Sequence, residues 1–85
     1  MTIAYYSAPA KLVFDRLDEK TRRLIRAAVK GLASNPKSGY WLREVGGYEV
    51  RMLPVDGLRL YYVLWESELT ITEILSASNA PSFPV

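Results

Sequence analysis

The sequence predicts an α+β fold in the order β-α-α-β-β-β, a small antiparallel sheet with a helical hairpin packed on one face. Three observations predict it: an amphipathic stretch from Glu19 to about Ser34, a hairpin signal at Asp56-Gly57, and an alternating run that starts at Leu69. A helix pair and a sheet bury their apolar faces most simply as two packed layers.

The first elements follow in order from the N-terminus. Ile3 to Tyr6 is a short, apolar strand candidate. Ser7 and Pro9 are typical of a helix N-cap and first turn, and we expect that helix to end near Leu17. Asp18 is the next N-cap candidate, so the two helices should form a tight hairpin.

The second helix has the clearest pattern in the sequence. Asn35-Pro36 ends it, because the residue before proline avoids the α region. Its apolar stripe follows the i, i+3, i+4, i+7 spacing, at Ile25, Ala28, Val29 and Leu32.

The second half predicts a three-stranded meander. Residues 37–47 contain three glycines and are expected to be a connection. Residues 48–65 form two strands around Asp56-Gly57, because glycine tolerates the positive φ of a tight turn. The last strand loses its alternation at Glu73, which indicates a bulge or a strand end. We place one domain at residues 1–76 and a flexible C-terminal tail at 77–85.

Composition excludes several kinds of chemistry. The chain has 85 residues with no cysteine and no histidine, so thiolate sites and imidazole bases are absent. Carboxylates alone support a metal site poorly, and no metal or other cofactor is predicted. The longest apolar run, Leu60 to Trp65, is far shorter than the roughly 20 residues of a membrane helix. No signal peptide is recognisable, so we expect a cytoplasmic protein that does not enter a membrane.

Charge is divided unevenly along the chain. Residues 1–43 carry nine basic and three acidic side chains, a net +6, whereas residues 44–85 carry two basic and six acidic ones, a net −4. Such asymmetry is found in proteins with a polyanion-facing surface and also in proteins with an ordinary solvated helix.

An anion-binding site is the candidate function that the residue pattern leaves open. Arg51 and Arg59 lie on adjacent strands of the hairpin and could be neighbours, since cross-strand partners are about 5 Å apart. Lys37 and Arg43 could join them from the connection. Aromatic side chains could supply stacking surfaces, with Tyr48 and Tyr61 among them. Alternatively, Arg51 pairs with Glu49 or Glu73 and the aromatic residues fill the core.

The sequence resembles the RelE/ParE superfamily, the toxins of type II toxin–antitoxin systems. The resemblance spans residue 3 to about 76. It lies in a tyrosine-rich first strand, Leu17-Asp18, Leu32-Ala-Ser-Asn-Pro36, Leu42-Arg43, Tyr48-Glu-Val-Arg51 and Gly57-Leu-Arg-Leu-Tyr-Tyr62. It implies the same β-α-α-β-β-β arrangement, a RelE-like fold, and a cognate antitoxin as partner.

The resemblance also implies an activity and site residues. RelE-like members are endoribonucleases that cleave mRNA on the ribosome with basic residues of the sheet. The basic pair of the family falls on Glu49 and Arg51, and a further arginine falls on Arg59, so these three are the implied catalytic residues. Lys37, Arg43 and the tyrosines would bind RNA. The basic residue and tyrosine that the family has after the last strand have no counterpart in residues 76–85.

Three functions are therefore compatible with the resemblance. The first is a RelE-like toxin that inhibits translation by ribosome-dependent mRNA cleavage. The second is a ParE-like, non-enzymatic inhibitor of DNA gyrase. The third is a catalytically degenerate member that only binds its antitoxin.

Overall fold

The fold is a five-stranded sheet with two helices packed on one face. The structure is a computed structural model that describes residues 2–76. Its elements are β1 (Ile3–Tyr6), α1 (Ala8–Arg16), α2 (Glu19–Ser34), β2 (Tyr40–Val45), β3 (Tyr48–Val55), β4 (Leu58–Trp65) and β5 (Glu68–Ser76). The predicted α+β fold with a helical hairpin on one side of the sheet is confirmed. The tail predicted at 77–85 lies outside the described residues.

Two details of the sheet differ from the prediction. The stretch 37–47 was expected to be a connection, and this is wrong, because residues 40–45 form β2 at the sheet edge. All six residues of β2 are exposed, so the strand has no buried face for an apolar pattern to record. The sheet order is β1-β5-β4-β3-β2, and β1 pairs parallel to β5, which makes the sheet mixed. Sequence patterns carry no information on so distant a partner.

Both helices begin at the predicted caps. The Ser7 hydroxyl accepts a hydrogen bond from the Ala10 N–H at 3.2 Å and donates one to the Thr72 carbonyl at 3.0 Å, which ties α1 to β5. The Asp18 carboxylate accepts from the Thr21 N–H at 2.8 Å, and hydrogen bonding from the Thr21 side chain together with this N–H holds the pKa of Asp18 below its ordinary value. Both caps satisfy N–H groups that a helix start leaves unpaired.

The core lies between the helices and the central strands. The stripe predicted on α2 is the buried one, with Ile25 fully buried and Leu32 nearly so. Burying a side chain of this kind contributes roughly 1.5–3 kcal/mol. The other core side chains come from α1, α2 and the two central strands: Ala10, Phe14, Val29, Leu60, Tyr62, Leu64, Leu69, Ile71 and Ile74.

The turn between β3 and β4 fixes their register. Asp56 and Gly57 both have positive φ, 48° and 77°, as a two-residue type I′ hairpin turn requires. Val55 therefore faces Leu58, and every partner further along the ladder is set by that pair.

A bulge in β5 explains the loss of alternation. Tyr61 pairs with Glu73 while Tyr62 pairs with Ile71, so Thr72 is the extra residue. After this shift Ile74 returns to the core and Glu73 points to the opposite face.

Candidate functional site

The face of the sheet opposite the helices, termed here the open face, has no covering layer within residues 2–76. It contains a groove of about 420 Å³ that crosses β2, β3, β4 and β5. Its lining is largely apolar with a few polar groups: Leu42, Arg43, Val50, Tyr61, Val63, Thr72, Glu73 and Leu75. We take this groove as the candidate site, because ligand sites are concave and mostly apolar with a few polar groups.

The predicted neighbours Arg51 and Arg59 lie on opposite faces of the sheet. Residues directly opposite each other in an antiparallel pair share a face, and successive residues alternate. Arg51 pairs with Tyr62, a core residue, so its side chain leaves on the helix side. Arg59 pairs with Leu75, which lines the groove, so it belongs to the open face. The prediction that Arg51 and Arg59 are neighbours in one anion-binding site is therefore wrong.

Arg51 binds the segment that connects α2 to β2. Its Nη1 donates to the Lys37 carbonyl at 3.0 Å and to the Gly39 carbonyl at 2.8 Å. Its Nε and Nη2 donate to Glu49 Oε1 at 3.0 and 2.8 Å. The side chain is only 12% exposed, so these bonds leave little of the guanidinium for an outside ligand. The Glu49 partner is one of the two that the sequence suggested.

Tyr62 binds the same connecting segment from the core. Its hydroxyl accepts from the buried Gly39 N–H at 3.1 Å and donates to the Pro36 carbonyl at 2.7 Å. A Cβ on Gly39 would collide with this hydroxyl and ring, so glycine is required by close approach. Burial raises the pKa of Tyr62, which keeps the phenol protonated for this role.

Glu49 is a poor general base in this arrangement. The hydrogen bond from Arg51 lowers the pKa of Glu49, and the Lys37 ammonium, 3.8 Å away, acts in the same direction. A carboxylate held ionised by two cations has little tendency to take a proton. Lys37, Glu49 and Arg51 thus form one cluster on the helix side.

The other predicted residues lie on the open face. Arg43 and Tyr61 line the groove. Tyr48 stacks on Trp65 with ring centroids 4.6 Å apart. Within residues 2–76, neither Arg43 nor Arg59 makes a hydrogen bond or ion pair, and these are the cations of the open face.

The groove also contains polar residues that the sequence reasoning did not assign. Glu73 and Thr72 reach it because of the bulge in β5. The broken alternation at Glu73 was the signal for this, since a core-facing strand position would not carry a carboxylate. In residues 2–76 no three carboxylates converge on a point that could hold a metal ion. Neither helix there is long and apolar enough to cross a membrane.

Comparison with known proteins gives a structural answer and no sequence match. No family profile and no curated protein matches the sequence. The archaeal RelE–RelB complex from Pyrococcus horikoshii OT3 contains a chain that superposes with a TM-score of 0.81 at 12% identity, covering 93% of this chain and 98% of that one. The Escherichia coli RelBE toxin–antitoxin complex gives 0.74 at 14%, covering 96% and 100%. The ParDE system from Pseudomonas aeruginosa gives 0.69 at 20%, covering 89% and 96%.

These superpositions define the fold class. In each comparison most of this chain superposes on nearly the whole of the matched chain. The likeness therefore concerns complete domains and not one shared motif. The fold is that of the small α+β chains found in type II toxin–antitoxin complexes. More particularly, it is the RelE/ParE fold that the sequence resemblance implied, and that expectation is confirmed.

Proposed function

We propose that this protein is the toxin of a type II toxin–antitoxin pair. The observation that carries the proposal is the end-to-end match with one chain of the archaeal RelE–RelB complex and one chain of the Escherichia coli RelBE complex, which covers 98% and 100% of those chains. Within residues 2–76 the groove on the open face is a concave surface that a target could occupy.

The partner would be a cognate antitoxin. Structures with this fold were determined as RelE–RelB and RelBE complexes, which supports a protein partner for this chain as well. Two exposed edge strands, β1 and β2, carry apolar side chains such as Ile3, Tyr5 and Trp41. Such edges can accept an added strand.

The charge arrangement favours a toxin that acts by binding over one that cleaves mRNA. RelE-type cleavage would need several cations around one phosphate together with an acid and a base. Arg51 and Glu49 are turned to the helix side and bonded to each other. The groove instead combines Arg43 with the Glu73 carboxylate, which repels phosphate. We therefore propose the ParE-like mode, with DNA gyrase as the target class that the resemblance implies.

A growth assay tests the toxin proposal. Induction of the protein in a bacterial host should arrest growth, and co-expression of the product of the adjoining gene should relieve the arrest. Arg59→Ala on the open face should weaken the arrest, because it removes a cation that no residue in 2–76 holds. Lys20→Ala is the matched control on α2 and should leave the arrest unchanged. Normal growth with the wild-type protein would refute the proposal.

A further inference from the structure

The outer surface of the helical layer carries a second charged feature, far from the open face. Arg23, Arg26 and Lys30 of α2 fall within about 60° of one another around the helix axis. Arg22 lies beside them. We call this set, together with Lys11 of α1, the cationic stripe.

Lys11 joins the stripe across the groove between the helices. Its ammonium lies 5.2 Å from the centre of the Phe14 ring, and the Arg26 guanidinium lies 5.5 Å from the same ring. Both cations thus gather over one buried aromatic side chain. From Arg23 to Lys30 the stripe extends about 10 Å along α2, at 1.5 Å per residue.

Positive charge on the stripe exceeds what its carboxylates can neutralise. Glu19 alone is shared by three guanidiniums, with Arg22 at 2.9 Å, Arg23 at 3.4 Å and Arg26 at 3.5 Å. Lys11 has Asp15 at 2.7 Å, while Lys30 has no ion pair within residues 2–76. Most of these side chains are half exposed or more, and Arg23 is 76% exposed. Their hydrogen-bond donors are therefore available to a multivalent anion.

The stripe lacks the apolar anchors of a protein-binding surface. The exposed large apolar side chain of α2, Leu24, lies about 120° from Lys30 around the helix axis, and Leu12 of α1 lies about 100° from Lys11. Protein interfaces rely on buried apolar and aromatic anchors at their centre. A surface of guanidiniums and ammoniums without such anchors fits a phosphodiester backbone, which is bound through charge and counterion release.

We propose that the cationic stripe is a sequence-independent binding surface for the phosphate backbone of a nucleic acid. The stripe is long enough to contact more than one phosphate of a strand. The proposal does not depend on the toxin function, since it concerns the helical layer and has its own readout. Both DNA and RNA present the required chemistry.

The test measures fluorescence anisotropy of the full-length protein with a labelled 20-base-pair DNA duplex and, in a second arm, an RNA hairpin of unrelated sequence. In the double variant R23Q/K30Q the slope of log affinity against log salt should fall by about 1.8, with roughly tenfold weaker binding. The control R16Q/K37Q removes the same charge from two exposed cations outside the stripe and should change affinity less than about threefold.

A gain of binding provides a readout that misfolding cannot imitate. Glu19→Gln removes the carboxylate shared by three arginines and should tighten binding to the nucleic acid that the wild type prefers. The proposal is overturned if neither probe binds or if the two double variants lose affinity equally. It is likewise overturned if Glu19→Gln binds more weakly, or if a polyglutamate peptide binds more tightly than both probes at the same salt.

Discussion

At the scale of single residues, the site depends on which face of the sheet each side chain occupies. Arg51 and Arg59 look equivalent in the sequence, yet one is bonded to Glu49 and two backbone carbonyls and the other lies on the open face. Successive side chains of a strand point to opposite faces of the sheet, so the register position of each arginine decides which face it occupies. Arg51 stabilises the fold, whereas Arg59 makes no hydrogen bond or ion pair within residues 2–76.

The Glu49–Arg51 pair predicts an acid dependence of stability. Because the pKa of Glu49 in the folded protein is lowered from 4.5, its stabilisation is fully present above pH 4.5 and is lost as pH falls through the lowered value. The difference in free energy of unfolding between wild type and Glu49→Gln should therefore shrink as the pH falls below 4.5. Urea denaturation at several pH values measures it. Glu68→Gln, at a carboxylate without an ion pair in residues 2–76, is the control and should show no such trend. A difference that stays constant with pH would contradict the assignment.

The facing of these arginines was within reach of sequence reasoning. A two-residue turn at Asp56-Gly57 sets Val55 opposite Leu58, and counting back from that pair puts Arg51 opposite Tyr62. The hydrogen bonds from Arg51 to the Lys37 and Gly39 carbonyls could not be foreseen, because the path of the connection depends on tertiary packing.

At the scale of elements, the edge strand β2 depends on the chain segment that precedes it. That segment is held by Tyr62 from the core and by Arg51 from β3. The helix caps, the helix bounds and the hairpin were predictable from the sequence, because each is set by local residues such as Ser7 and Asp18. Strand β2 was not predictable in this way, because an exposed edge strand needs no alternation of apolar and polar residues.

Loss of the Tyr62 hydroxyl should destabilise the protein. Tyr62→Phe leaves the buried Gly39 N–H and the Pro36 carbonyl without their partner, and we expect a cost of about 1–3 kcal/mol in the free energy of unfolding. The adjacent Tyr61→Phe is the control. Its hydroxyl makes no hydrogen bond in residues 2–76, so the cost should stay below about 0.5 kcal/mol. Equal losses in urea denaturation would show that the network does not hold the connection.

At the scale of the whole molecule, the two layers carry different surfaces. The sheet presents an open face with an apolar groove, Arg43 and Arg59, whereas the helices present the cationic stripe. The fold was predictable because helix periodicity and the Asp-Gly turn agree with one topology. The fold does not predict a target, because chains of both the RelE–RelB complex and the ParDE system share it. The proposal of a ParE-like mode therefore rests on the placement of charges on the open face and not on the fold.

Pulse-labelling after induction tests most directly the proposal that the protein acts by binding gyrase and not by cleaving mRNA. Cells expressing the protein receive labelled amino acid and labelled thymidine in parallel, and incorporation is followed over the first minutes. A toxin that binds gyrase and cleaves no mRNA should stop DNA synthesis first while protein synthesis continues, and Arg51→Lys, which keeps the charge, should not abolish this effect in folded protein. Immediate arrest of protein synthesis with fragmented mRNA would contradict the account.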